Sequence, residues 1–231
     1  MPAQSPQSIL LGSSSPRRIE LLQALSIHFS STAPDVDEEL VEAQLNGCPP
    51  SEIATGIARA KAQAILARHP DATVLTADTM VICQDKSLGK PRNQTDALAM
   101  LLTLSGEWHE VLTGVVIQTK EFQKERAVVS RVRFHHVAEA ELRGYVKTGE
   151  PLDKAGAYGI QGLGGQLVEE VDGCLLNVVG LPLCAVSELI NTAWRTTSEE
   201  EYPAICARVA GEVWARSVHG VTFPFTISAH P

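Results

Sequence analysis

At 231 residues, with 44% hydrophobic and 20% charged side chains, the chain has the apolar material for one large domain or two small lobes. A net charge of -8 excludes a general nucleic-acid or anionic-membrane binder and leaves room only for a local basic pocket that takes a small anion. Five cysteines without CxxC or metal-ligand spacing, no apolar run near the ~18 residues of a membrane span, and an N-terminus without signal-peptide regions make a cytoplasmic protein the expectation.

The elements follow in chain order as an α/β alternation. "ILL" at 9–11 reads as a short buried strand. Ser15 is a candidate helix cap and Pro16 suits the first turn of the helix behind it, whose inner face is Ile19, Leu21, Leu22 and Leu25. Residues 32–50 read as a carboxylate-rich loop, and a second helix starts at Ser51. "TVLTADTMVIC", 73–83, reads as a strand buried on both faces, followed by a loop over 84–93 and a helix around Ala97–Leu104. Two adjacent strands are expected over 110–119 and 126–137, and a short helix over 139–149 that Gly149 ends. A glycine-rich segment runs to Pro182, and 183–194 is the last clear helix of the body. The domain reading is therefore a body over 1–194 and a C-terminal extension over 195–231. Trp194 at the end of the body and Ile205, Val209, Val213 and Trp214 in the extension suit a packed C-terminal helix, and the extension is not needed for the chemistry.

Four places resist a purely structural account. "GSSSPRR", 12–18, turns a strand into a helix with more serines and arginines than a turn requires. Outward-pointing amides at a helix N-terminus favour an anion, whereas Arg17 and Arg18 carry the wrong sign for the helix dipole. Either a phosphate or the acidic loop would resolve that conflict. Asp78 interrupts an apolar strand, and a buried carboxylate there needs a partner, a metal or a proton. Turn amides would satisfy it, or it serves as a general base. Lys61 interrupts the stripe Ile57–Lys61–Ile65 of the second helix, where it either snorkels to water or reaches inward to a ligand. "DVDEE", 35–39, is a solvated acidic loop or a source of hard oxygen ligands for a divalent cation. Lys90 by itself reads as a surface lysine in a loop. His135, His136 and His109 are read as non-ligands, because adjacent strand residues face opposite ways.

Taken in order, "SSSPRRIELL", "DVDEE", "ARAKA", "TADTMV", "LGKP", "LSGEWHEVLTGV", "YVKTGEPLDKAGAYGIQGLGG" and "NVVGLPL" resemble the Maf family of nucleoside triphosphate pyrophosphatases, over about residues 8–193. The resemblance implies an α/β fold with a curved mixed sheet and two lobes around a deep cleft, similar to inosine triphosphate pyrophosphatase. It implies hydrolysis between the α and β phosphates of a nucleoside triphosphate with a divalent metal, Mg²⁺ or Mn²⁺, and it allows a homodimer. Carried over by position, Asp78 matches the proton acceptor, and Glu38, Lys61 and Lys90 match the other catalytic positions. Glu38 and Asp78 are the implied metal ligands, and Ser13 and Arg18 lie in the phosphate loop. Arg17, Thr79 and Gln161 resemble members that prefer thymidine and uridine triphosphates, and the Gln161 amide offers the donor and acceptor that a uracil or thymine edge pairs with. Two other readings compete. A 7-methyl-GTP enzyme fails at those three positions, and a non-catalytic nucleotide sensor is disfavoured by the presence of every catalytic residue type. Gly12 stands where the family usually has alanine, and is expected to add flexibility only.

Overall fold

The computed structural model describes residues 8–194 and 202–217. Its strands are β1 (Ile9–Gly12), β2 (Phe29–Thr32), β3 (Thr73–Cys83), β4 (Lys86–Leu88), β5 (Trp108–Gln118), β6 (Gln123–Phe134) and β7 (Val168–Asp172). Its helices are α1 (Pro16–Gln23), α2 (Glu38–Gln44), α3 (Pro50–Leu66), α4 (Gln94–Leu104), α5 (Glu139–Lys147), α6 (Leu175–Val179), α7 (Leu183–Trp194) and α8 (Tyr202–Ser217). The strands form one open, seven-stranded mixed sheet in the order β2-β1-β3-β5-β6-β7, with β4 pairing on β3. The pairs β1–β2 and β1–β3 are parallel, whereas β3–β4 and β6–β7 are antiparallel.

Two compact units divide the chain. The first holds the chain up to Asp78, Thr113–Val128 and Gly180–Cys206; the second holds Thr79–Leu112, Val129–Val179 and the chain from Ala207. In the first unit, Ala58, Ala62 and Ile65 of α3 bury against Val74 and Val116. Small residues on this face let α3 lie close to the sheet. At Gly114 of β5 a Cβ would fall 2.5 Å from the Thr55 amide nitrogen, so no larger residue fits under the helix. The Thr76 hydroxyl donates to the Ala58 carbonyl at 2.6 Å and fixes α3 along β3. In the second unit the rings of His109, Phe134 and Tyr158 stack edge to face, with centroids 4.7–5.4 Å apart.

Three elements depart from the sequence reading. The acidic stretch is not loop throughout. Asp37 caps α2 by accepting from the Leu40 amide at 3.0 Å, and Glu38 and Glu39 sit in its first turn, where carboxylates suit the dipole. No residue of α2 is buried, so it lacks the apolar stripe that marks a helix. β2 ("FSST") and β4 are short and mostly exposed, with no alternation to betray them. Ser15 stands at the N-cap of α1, but its side chain makes no capping bond. In the extension, α8 buries Cys206, Val209 and Val213, while the Trp214 side chain lies outside the described residues.

Candidate active site

Parallel pairing of β1 and β3, with Gly12 opposite Thr76, ends β1 alongside the middle of the longer β3. The turn Ser13–Ser15 leaves β1 there, and Asp78 follows Thr76 by two residues on β3. Ligands of open α/β sheets bind outside the carboxyl ends of such strands. Ser13 is buried, and its hydroxyl accepts from the Ser15 amide at 3.1 Å, which shapes the turn into α1. Gly12 does more here than add flexibility: a Cβ would meet Ile65 Cδ1 at 2.4 Å and Thr76 Cγ2 at 2.6 Å. In this chain Ile65 of α3 occupies the space an alanine would need.

Lys61 is 4% exposed, so it does not snorkel to water. Its Nζ lies 2.7 Å from Asp78 Oδ1 and 2.9 Å from Glu38 Oε1. One ammonium thus joins a carboxylate on β3 to one in the first turn of α2. This supplies the charge partner that a buried Asp78 requires, so turn amides are not needed. Arg18, on the first turns of α1, donates through Nε to the Gly180 carbonyl at 2.9 Å. Burial pulls its guanidinium below the ordinary arginine value, against the opposing pull of Asp78 and Glu38, with Arg17 adding a smaller push in the direction of burial. Glu38, from the acidic stretch, and Asp78 thus favour the charged form of Arg18. Arg17 is half-buried.

Thr79, half-buried, follows Asp78 in β3. In the second unit Lys90 is exposed behind β4, and Gln161 is half-buried in the glycine-rich loop. That loop is held by a residue the sequence reading did not single out. Glu150 accepts from the Tyr145 hydroxyl at 2.9 Å, the Leu163 amide at 3.0 Å and the Gly164 amide at 3.1 Å. A Cβ at Gly162 would fall 2.5 Å from the Glu150 carboxylate, so the loop wraps tightly over it. Nothing in the sequence sets Glu150 apart from another loop glutamate. Glu150→Ala should cost about 1–3 kcal/mol, because it leaves polar groups without their acceptor, and should speed amide exchange at Leu163 and Gly164. Denaturant unfolding and exchange measurements check both. Gly180, the acceptor for Arg18, was also missed, and a backbone carbonyl leaves no signature in sequence.

His109 is buried, with Nε2 2.8 Å from the Tyr158 hydroxyl, and burial drives its pKa down to about 4, partly offset by the Glu107 backbone, which favours the protonated ring. This is a core histidine. Among the described residues, no group of three or more His, Cys, Asp or Glu is placed to hold a metal ion. Glu38 and Asp78 nevertheless converge on a single cationic point, Lys61 Nζ. Two carboxylates with substrate phosphates completing the shell is the usual way Mg²⁺ is held, so these two residues fit such a cation. Chemically, the cluster offers a carboxylate able to take a proton, an ammonium to balance it, and arginines for an anion. Among the described residues, no helix is long and apolar enough to cross a membrane.

A family model described as Maf-like protein matches residues 8–193. A dTTP/UTP pyrophosphatase of Syntrophomonas wolfei is 45% identical over 76% of this chain and 92% of its own. Those of Geotalea uraniireducens and Geobacter sulfurreducens are 43% and 44% identical over 81% and 78% of this chain, and 95% and 93% of theirs. The solved Staphylococcus aureus Ham1 protein overlaps 56% of this chain and 73% of its own at 11% identity, with a TM-score of 0.38, too distant to carry an argument.

Proposed function

The chain belongs to the Maf-like protein family, and from that premise we propose that it hydrolyses pyrimidine nucleoside triphosphates, dTTP and UTP, to the monophosphate and pyrophosphate. The observation that carries this reading is Lys61 bound to both Asp78 and Glu38, with Asp78 two residues along β3 from the end of β1, where the serine and arginine turn begins. The names of the relatives support the choice of substrate, as does the glutamine at position 161.

In this reading Asp78 takes a proton from the attacking water. Lys61 orients Asp78 and Glu38 and balances their charge. Ser13, Arg17 and Arg18 hold the triphosphate, with Arg18 pinned by the Gly180 carbonyl. Lys90 adds charge against the phosphate oxygens as they gain it. Glu38 and Asp78 would hold Mg²⁺ or Mn²⁺, which when bound supplies further neutralisation of the phosphates. The site of action in this reading is the cytoplasm, where the pool of free nucleoside triphosphates is found.

Gln161 reads the pyrimidine edge, and Arg17 and Thr79 are the other two positions that bear on base choice. An edge-reading site discriminates because its own polar groups go unpaired against the wrong base. Gln161→Glu turns a donor into an acceptor facing the O4 carbonyl. The ratio of kcat/KM for dTTP and UTP over 7-methyl-GTP is expected to fall by about tenfold or more, the cost of at least one unpaired polar group. The test is a panel of dTTP, UTP, CTP and 7-methyl-GTP with pyrophosphate detection on both proteins. Preference of the unmodified protein for 7-methyl-GTP would overturn the substrate assignment, and an unchanged ratio in the variant would remove Gln161 from base reading.

A further inference from the structure

Cys184 lies in the first turn of α7, inside the span that matches the family, and Cys206 lies in α8, beyond it. Their sulfurs are 2.7 Å apart, well inside the contact distance of two unbonded sulfur atoms. Both residues belong to the same compact unit. Cys184 is exposed and open to a soluble oxidant, whereas Cys206 is buried, 8% exposed, with its sulfur against that of Cys184. Twenty-one residues separate the two (206 - 184 - 1), so the link is not a local turn constraint but a tie between two helices.

We propose that Cys184 and Cys206 are a modification site, a thiol pair that a small disulfide such as oxidised glutathione converts to an intramolecular disulfide joining α7 to α8.

The reactivity is ordered. The contact with Cys206 and a backbone hydrogen bond lower the Cys184 pKa to about 7, against the upward push of burial. A fraction of Cys184 is therefore thiolate near neutral pH, and the thiolate is the attacking form. Burial instead raises the Cys83 thiol, with Glu107 adding to the shift, which disfavours attack from that position. In the first step the Cys184 thiolate bonds to one sulfur of oxidised glutathione and one glutathione thiolate leaves. In the second, Cys206 gives up its proton, its sulfur bonds to Cys184, and the second glutathione thiolate leaves. Two protein thiols are oxidised by two electrons, and one small disulfide is reduced to two thiols. A reducing cytoplasm returns the pair to thiols, so the tie forms only when the glutathione pool is oxidised.

The experiment exposes the folded full-length protein to oxidised glutathione and removes the small thiols and disulfides; thiols are counted in denaturant on one portion, and a second portion is alkylated with N-ethylmaleimide in denaturant for peptide mapping. Titratable thiols should fall from five to three, dithiothreitol should restore five, and peptide mapping with fragmentation should place the link between 184 and 206. Cys206→Ser should stop at glutathione on Cys184, and Cys184→Ser should keep all four of its thiols. Five thiols after treatment would overturn the proposal. So would glutathione on Cys184 with Cys206 alkylated in the unmodified protein, or a link to a different cysteine.

Discussion

Replacing Asp78 with asparagine should lower kcat for dTTP by about 10² to 10⁴, the range set by loss of a general base, with KM nearly unchanged. Asparagine keeps the size of the side chain and an acceptor for the Lys61 ammonium, but it cannot take a proton from water. The fold should survive, because Lys61 retains Glu38 at 2.9 Å and the ammonium is not left without a counter-charge. Thermal unfolding of the variant separates loss of chemistry from loss of structure. A folded Asp78→Asn variant with near-normal turnover would remove Asp78 from proton transfer. Lys61→Met is the harsher change. It leaves two carboxylates facing each other without their shared cation, and breaking a buried ion pair costs about 3–5 kcal/mol.

Removing divalent cations should abolish turnover, and adding back Mg²⁺ or Mn²⁺ should restore it. The oxygens of Glu38 and Asp78 both lie within 2.9 Å of Lys61 Nζ. In the proposed reading they would supply two hard ligands, too few to hold a cation firmly without phosphates. The metal requirement should therefore track nucleotide binding. Glu38→Gln should raise the Mg²⁺ concentration needed for half-maximal rate while leaving turnover measurable at saturating metal. Full activity in excess chelator would exclude a metal-dependent reaction at this site.

What the sequence disclosed, and what it hid, follows from where each residue sits. β3 was legible to the residue, since eleven consecutive side chains are mostly buried and Asp78 is the one charged group among them. α3 was legible from its stripe. β2 and α2 were not, because both face water and neither carries periodicity, although Asp37 and the two glutamates behind it are a readable helix start. Asp78, Lys61 and Glu38 each stood out as a misfit or an acidic run, yet nothing local said that one ammonium would join both carboxylates. That needs the register of β1 on β3, the fit of α3 over Gly114 and the Thr76–Ala58 hydrogen bond. Family resemblance supplied the grouping that physics alone could not. Glu150 was hidden for the opposite reason: its work is to accept hydrogen bonds from backbone, and any glutamate in a loop looks the same until the partners are placed.

The central claim is the bond broken. Purified protein incubated with dTTP and Mg²⁺, with products resolved by ion-exchange chromatography or phosphorus NMR, should yield dTMP and pyrophosphate in equal amounts, and the Asp78→Asn protein should yield neither at a comparable rate. Accumulation of dTDP and inorganic phosphate, or no turnover of dTTP or UTP by the folded protein with metal present, would contradict it.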